Sequence, residues 1–328
     1  MKCTNKIIRI IPLAAICLLL GGCDRRTELK DAYDIYHTSD QYQLTGSTTD
    51  KPVTLFASDL CIGGTENTHT DKIDTSYAET AAVFSVNDQK ITYAQNIYEK
   101  RYPASTTKIL TAYLALKYGK LDDTLTVSQD AIYTLMAGSS ICGLKPGDKI
   151  TLEDALYGLM LCSGNDAANV IAEYISGSTE KFADLMNEEA KALGATQSHF
   201  VNAHGLPDED HYTTAYDLYL IFNAAIKNED FVHYISTKQY EVMYEDAYGE
   251  KVEQTWTNTN GYLNKTYESP KEVTIVGGKT GTTGEAGSCL VLMSENSAGD
   301  PIISIVLKSD GKDHLYTLMS EMLTNFSN

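Results

Sequence analysis

The 328-residue sequence has a single long hydrophobic run, Ile10 to Leu20, which excludes a polytopic membrane protein. Basic residues are also scarce. Against 44 Asp and Glu there are 26 Lys and Arg, and a formal net charge of −18 repels nucleic-acid phosphates and anionic lipid surfaces. A nucleic-acid partner is therefore not expected. No Cys-x-x-Cys pair, Cys/His spacing or EF-hand loop is present, so neither a metal nor another cofactor is expected. Internal repeats and low-complexity tracts are missing as well. With 43% hydrophobic residues, the chain has the apolar content for a packed core of one or two domains, which rules out disorder throughout.

The hydrophobic run follows a basic segment containing Lys2, Lys6 and Arg9 and has signal-peptide length, too short for a comfortable membrane span. It ends in Leu20-Gly21-Gly22-Cys23, which resembles the lipobox of bacterial lipoproteins, where cleavage precedes the cysteine and the cysteine carries the lipid. Residues 1–22 are accordingly expected to be removed. Cys23 is then the lipid attachment site, holding the protein to the extracytoplasmic face of a bacterial membrane. Residues 24–52, rich in Asp, Thr, Ser, Gln and Tyr, suit a solvated tether. Residues 53–76 stay undecided between more tether and a strand laid across the body. Four cysteines follow, at Cys61, Cys142, Cys162 and Cys289; they allow three fully bridged pairings, or remain small buried thiols, and the sequence does not choose.

From residue 77 to 328 the patterning predicts one folded body. AAVFSV, Asn87-Asp88 and QKITYAQN read as a hairpin. A helix follows Pro103-Ala104-Ser105, with Ile109, Leu110, Tyr113, Leu114 and Leu116 as its apolar face and Gly119 as its stop. Thr151 to Asp154 resembles a capping box before ALYGLMLC, another helix starts near Asn165, and Ser178 caps one that Gly194 closes. EVTIVGGKTGTT, AGSCLVLMS and PIISIVLKS then read as an antiparallel meander, with a closing helix from Asp313 to about Asn325. Strands, then helices, then strands argue for an α/β body whose first hairpin joins the last meander in one sheet. The 22 tyrosines read as packing residues, and the runs Asp208-Glu209-Asp210 and Asn187-Glu188-Glu189 as solvated faces.

Chemistry enters at Ser105-Thr106-Thr107-Lys108. Three residues along a helix bring two side chains to one face, so a lysine can take a serine proton. Alone the spacing is cheap, because Ser178 to Lys181 and Ser309 to Lys312 share it. Context separates them. Ser163-Gly164-Asn165 sits between two expected helices 58 residues after Ser105, and Lys279-Thr280-Gly281, unique in the chain, sits on an expected strand 116 residues further on.

These three motifs in this order resemble the active-site set of serine penicillin-binding proteins and related β-lactamases. Their flanks YPASTTKILTAYLAL, GLKPGDKITLEDALYGLMLCSGNDAANVIAEYI, FVNAHGLPDEDHYTTAYDL and VGGKTGTTGEAGSCLV are similar to low-molecular-mass D-alanyl-D-alanine carboxypeptidases, from about Thr80 to Leu307. The resemblance implies an antiparallel sheet flanked by helices with a helical subdomain. It also implies that Ser105 attacks the penultimate D-alanine of peptidoglycan stem peptides, with Lys108 as base at a depressed pKa, and that β-lactams acylate it covalently. By the same resemblance Ser163 relays a proton, Asn165, Lys279, Thr280 and Gly281 hold the substrate, and the backbone N–H groups of Ser105 and Thr282 form the oxyanion hole.

Departures from the family pattern are few. Ala203 stands where Pro often precedes His-Gly-Leu-Pro, implying local loosening, while His204, His211 and Tyr212 are expected to shape that loop rather than to catalyse. The chain ends 47 residues after Gly281, so an N-terminal lipid is expected in place of the C-terminal anchor many relatives carry. The same acyl-enzyme would serve a carboxypeptidase, an endopeptidase cleaving cross-links or a transpeptidase, and the sequence does not choose among them; two further alternatives stay open. A β-lactamase lacks support from any Glu-x-x-Leu-Asn segment, the nearest being Asn260 to Asn264, and a peptide-binding lipoprotein without catalysis is at odds with the complete motif set.

Overall fold

The computed structural model describes residue 57 and residues 59–327. The expected leader, the lipid site at Cys23, the tether of residues 24–52 and the first four residues of the undecided segment lie outside the described residues. Two antiparallel sheets and a set of helices make up the body.

The main sheet has the order β2-β1-β9-β8-β7. Its first hairpin is β1 (Ala78–Ser85) and β2 (Lys90–Gln95), and its meander is β7 (Thr274–Thr283), β8 (Gly287–Glu295) and β9 (Pro301–Ser309). The pairing of β1 with β9 joins hairpin to meander, as the sequence predicts. Side chains alternate across this sheet because the strand period is two. Ala81, Val83, Leu290, Leu292, Ile302 and Val306 face the closing helix, Lys312–Phe326, which contributes Leu315, Leu318, Met319, Met322 and Leu323. Ala82, Phe84, Val291, Ile303 and Ile305 face the remaining helices. Both faces are therefore covered, and the three central strands read as nearly continuous apolar runs.

The helical layer comprises α1 (Lys108–Tyr118), α2 (Gln129–Tyr133), α3 (Leu152–Met160), α4 (Asn165–Ser176), α5 (Thr179–Ala192), α6 (Ala215–Ala225) and α7 (Glu229–Ser236); the closing helix is α8. Side chains of Ser128, Thr151, Ser178, Thr214 and Asn228 accept first-turn N–H groups at five of these N-termini. α1 is more buried than one apolar face requires: Lys108, Ile109, Leu110, Thr111, Ala112, Leu114 and Ala115 are all enclosed. It forms the centre of the helical layer.

The second sheet, β3 (Thr124–Thr126), β4 (Lys149–Thr151), β5 (Gln239–Glu245) and β6 (Lys251–Thr257), does not emerge from the sequence reading. Its core is thin: Val242, Tyr244 and Trp256 are buried on the long hairpin, between exposed neighbours. Tyr240 of β5 stacks on Tyr157 with centroids 3.6 Å apart and donates to Asp154 Oδ1 at 2.6 Å, fastening this sheet to α3.

Two segments depart from expectation. Residues 59–76 pack on the body without forming a strand: Cys61 is buried, its N–H donates to Tyr219 Oη at 2.8 Å, and Thr68 N–H donates to the Ala94 carbonyl at 2.7 Å. Glu189 is not solvated. It is buried on α5 and accepts from Lys117 Nζ at 2.6 Å and Tyr113 Oη at 3.2 Å, because α5 packs that face against α1. Asp208, Glu209 and Asp210 are exposed, as expected.

Candidate active site

Ser105 stands on a 3-10 turn, Ala104–Thr107, that runs directly into α1. Ala104 has φ +48°, a left-handed conformation costly for a residue with a Cβ. The turn is held from both ends. Thr106 Oγ1 donates to the Pro103 carbonyl at 2.7 Å, and Gly205 lies so close beneath that a Cβ on it would fall 1.8 Å from the Ala104 oxygen. One turn of helix then places Lys108 Nζ 3.1 Å from Ser105 Oγ, with further bonds to Asn165 Oδ1 at 2.6 Å and the His204 carbonyl at 2.8 Å. Lys108 is completely buried. Burial, reinforced by the positive charge of Lys279, holds its ammonium well below the usual lysine value.

The second wall is the α3–α4 connection. Ser163 has φ +59°, and Gly164 and Asn165 open α4. Asp166, wholly buried, gathers the neighbouring loop by accepting from the N–H groups of Cys142 at 2.9 Å, Gly143 at 2.9 Å and Leu144 at 3.0 Å. The Ser140 carbonyl in turn accepts from Asn165 N–H at 2.8 Å, so loop and helix N-terminus move as one.

Strand β7 is the third wall and the free edge of the main sheet. Lys279 is wholly buried and donates to Ser163 Oγ at 2.9 Å and to the Thr280 carbonyl at 2.9 Å; burial pulls it down to about 7. Thr280 Oγ1 shares a hydrogen bond with Thr259 Oγ1 at 2.7 Å. Gly281 passes the nucleophile turn so closely that a Cβ would lie 2.9 Å from Ser105 N and 3.1 Å from both Ala104 Cβ and the Pro103 oxygen.

All the residues named by the sequence for catalysis or substrate contact thus converge, and Ser105, Ser163, Thr280, Gly281 and Thr282 line one cleft of about 260 Å³. The histidines brace the 201–211 loop against the nucleophile turn and α1. His211 Nδ1 accepts from Val201 N–H at 3.1 Å and its Nε2 bonds Thr107 Oγ1 at 2.9 Å, while His204 contributes its carbonyl to Lys108. Ala203 is fully buried, and its carbonyl accepts from Thr111 Oγ1 at 2.6 Å. The sequence reading missed three contributors. Asp166 carries no motif beyond its place after Asn165; Tyr267 enters the cleft from a loop and Lys312 from the first residue of α8, both distant in sequence, and only the Ser309–Lys312 spacing drew attention to the latter.

Comparison with known proteins settles the kinship. The family model of the D-alanyl-D-alanine carboxypeptidases matches residues 66–311. The chain belongs to this family. It is 37% identical over 219 residues to the D-alanyl-D-alanine carboxypeptidase DacF of Bacillus subtilis, covering 65% of this chain and 53% of that protein. It is likewise 37% identical over 227 residues to DacC of Escherichia coli, covering 66% and 53%. The chain thus spans about half the length of these curated relatives. Among solved structures, the Streptomyces K15 DD-transpeptidase superposes with a TM-score of 0.68 and 31% identity, covering 76% of this chain and 97% of that one. The penicillin-binding DD-peptidase fold anticipated from the motifs is the fold of this family member. Among the described residues, no helix is long and apolar enough to cross a membrane.

Proposed function

We propose that the protein is a serine D-alanyl-D-alanine carboxypeptidase that releases the terminal D-alanine of peptidoglycan stem peptides through an acyl-enzyme on Ser105. One observation carries this reading: a buried lysine with lowered proton affinity stands 3.1 Å from the serine hydroxyl. Lowered proton affinity is what lets a lysine act as a base, since an ordinary one is protonated at neutral pH.

The stem peptide would lie as an added strand along the free edge of β7, opposite Gly281, where no side chain intervenes. Ser105 Oγ attacks the penultimate carbonyl as its proton passes to Lys108 Nζ, and the developing oxyanion is received by the N–H groups of Ser105 and Thr282. Ser163, held by Lys279, passes a proton to the departing amine. Asn165 fixes Lys108 and offers its amide to the substrate backbone. Lys279 and Thr280 bind the terminal carboxylate, with Lys312 facing the same cleft. Water completes the cycle. A β-lactam would enter as far as the acyl-enzyme and remain there as a covalent inhibitor.

Transfer of the same acyl group to an amine is a second reading, favoured by the likeness to the Streptomyces K15 DD-transpeptidase across nearly that whole chain. In either case the enzyme would act in the bacterial cell envelope, with the lipid on Cys23 holding it to the extracytoplasmic membrane face. A labelled fatty acid incorporated by the wild type and not by Cys23→Ser tests that anchor.

The decisive experiment incubates the protein with a fluorescent penicillin and, separately, with a peptide ending in D-Ala-D-Ala, with and without an amine acceptor. A stable adduct on Ser105 with D-alanine release, both lost in Ser105→Ala, supports the carboxypeptidase. Capture of the acceptor in the new peptide product favours transpeptidation. Rapid penicillin turnover without D-alanine release would mean a β-lactamase, and absence of any adduct would mean a binding protein.

A further inference from the structure

Four thiols are found among the described residues, and only two of them share a neighbour. Cys61 Sγ donates to the Ser85 carbonyl at 3.3 Å, and Cys289 Sγ to the Ala286 carbonyl at 3.5 Å, each in its own part of the sheet. Cys142 and Cys162, by contrast, both border Gly158 of α3. Cys162 Sγ donates to the Gly158 carbonyl at 3.1 Å, and a Cβ on Gly158 would fall 2.9 Å from Cys142 Sγ. Cys142 Sγ itself donates to Asp166 Oδ1 at 3.2 Å. Cys142 is sealed from solvent, whereas Cys162 is partly exposed.

We propose that Cys142 and Cys162 are a redox-sensitive pair whose disulfide distorts the Ser163 turn and slows acylation of Ser105. The kinetic half of this inference rests on the acyl-enzyme reading above; the covalent half does not. With a small disulfide such as oxidised glutathione as oxidant, the Cys162 thiolate attacks one glutathione sulfur and expels a glutathione thiolate. Cys142, giving up its proton, then attacks the Cys162 sulfur and expels the second glutathione. Two protein thiols lose two protons and two electrons, and one glutathione disulfide becomes two glutathione thiols.

The mechanical consequence follows from what is fixed. Cys142 is pinned through its N–H to Asp166 at 2.9 Å and through its carbonyl to Trp256 Nε1 at 3.2 Å. Cys162 is therefore the side that yields, and it precedes Ser163, already at φ +59° and bonded to Lys279. Drawing the Cys162 sulfur from the Gly158 carbonyl into a covalent bond re-aims the next residue. A displacement well under an ångström at such a site costs about tenfold in rate.

The test treats the folded protein with excess oxidised glutathione and reads two quantities. Peptide mapping without reductant is expected to show Cys142 and Cys162 in one cross-linked species, lighter by two hydrogen atoms, whether or not Ser105 is reactive. Acylation by fluorescent penicillin is expected to slow about tenfold, to recover with dithiothreitol, and to be insensitive to the treatment in Cys162→Ser. A stable glutathione adduct on Cys162, or untouched thiols under conditions that oxidise a model dithiol, would overturn the pairing. The cross-link with unchanged acylation would overturn the control of Ser163. Failure of the reduced protein to acylate at all would count against the acyl-enzyme reading and against the kinetic half with it, leaving the peptide map to decide the pairing.

Discussion

Gly281→Ala probes the approach of strand β7 to the nucleophile turn with a single methyl group. The added carbon would sit 2.9 Å from Ser105 N and 3.1 Å from Ala104 Cβ and the Pro103 oxygen, all of them atoms of the stiff nucleophile turn. Ordinary contact for a carbon is about 3.5–4.0 Å, so strand and turn must part by about half an ångström. The turn cannot give way easily, since Gly205 supports it from below and Ala104 is already strained. Strand β7 then withdraws, carrying the Thr282 N–H away from the Ser105 N–H. Complete loss of one oxyanion donor costs about 3–4 kcal/mol, and a half-ångström misplacement a good part of that, which sets the expected fall in the penicillin acylation constant at about 10–100-fold. Overpacking should cost the fold only about 1–3 kcal/mol, so the melting temperature falls by a few degrees while the protein stays folded. Acylation within twofold of wild type would refute the reasoning, since Gly281 would then be dispensable for the approach of strand and turn.

Lys108→Met retains the volume of the side chain and removes the base; acylation is expected to fall about 10²–10⁴-fold in stopped-flow fluorescence, with circular dichroism unchanged. Asp166→Asn replaces an acceptor of three loop N–H groups with a group that presents a donor to some of them, and chemical denaturation should register a loss of about 2–4 kcal/mol. Stability should also fall in mild acid. Burial lowers His211 from 6.5 to about 4, so between those values the unfolded chain holds a proton that the folded one refuses, and stability drains away as pH falls from about 6.5 toward 4, by about 3 kcal/mol in all. His204, lowered to about 3 by burial, adds in the same direction. A melting temperature flat between pH 7 and pH 5 would contradict this.

Much of the body was legible because its signals are local. Hairpin, meander, helix caps at Thr151 and Ser178, and the stop at Gly119 follow from alternation and capping chemistry within a few residues. The three motifs were legible as a set because each keeps its own backbone setting: helix start, inter-helix turn, edge strand. The second sheet escaped. Its strands β3 and β4 have three residues each, and the apolar positions of β5 and β6 are interleaved with Glu, Gln and Lys. Tertiary partners such as Tyr157 under Tyr240 make those strands, and a single sequence does not display them. The burial of Glu189 is hidden for the same reason, since its cation, Lys117, lies on α1.

The site holds two fully buried lysines and, among the groups acting on Lys108, one carboxylate, Asp166. That imbalance is the source of its reactivity. Asp166 is itself occupied by backbone N–H groups of the 142–144 loop, so it favours a charged Lys108 too weakly to offset burial and the repulsion of Lys279. Two ammonium groups in so dry a space disfavour one another. Lys108 carries the burden of both burial and the neighbouring charge, whereas Lys279 is opposed chiefly by burial. Both influences act against a charged Lys108, the direction that a base for the Ser105 proton requires. Arrival of a substrate carboxylate at Lys279 would supply the missing anion and favour the protonated form there. The same event would increase the separation of roles, one lysine a base and the other a cation. An ester or amide at the peptide C-terminus would forfeit that effect, and so should be acylated more slowly even where it fits the cleft equally well.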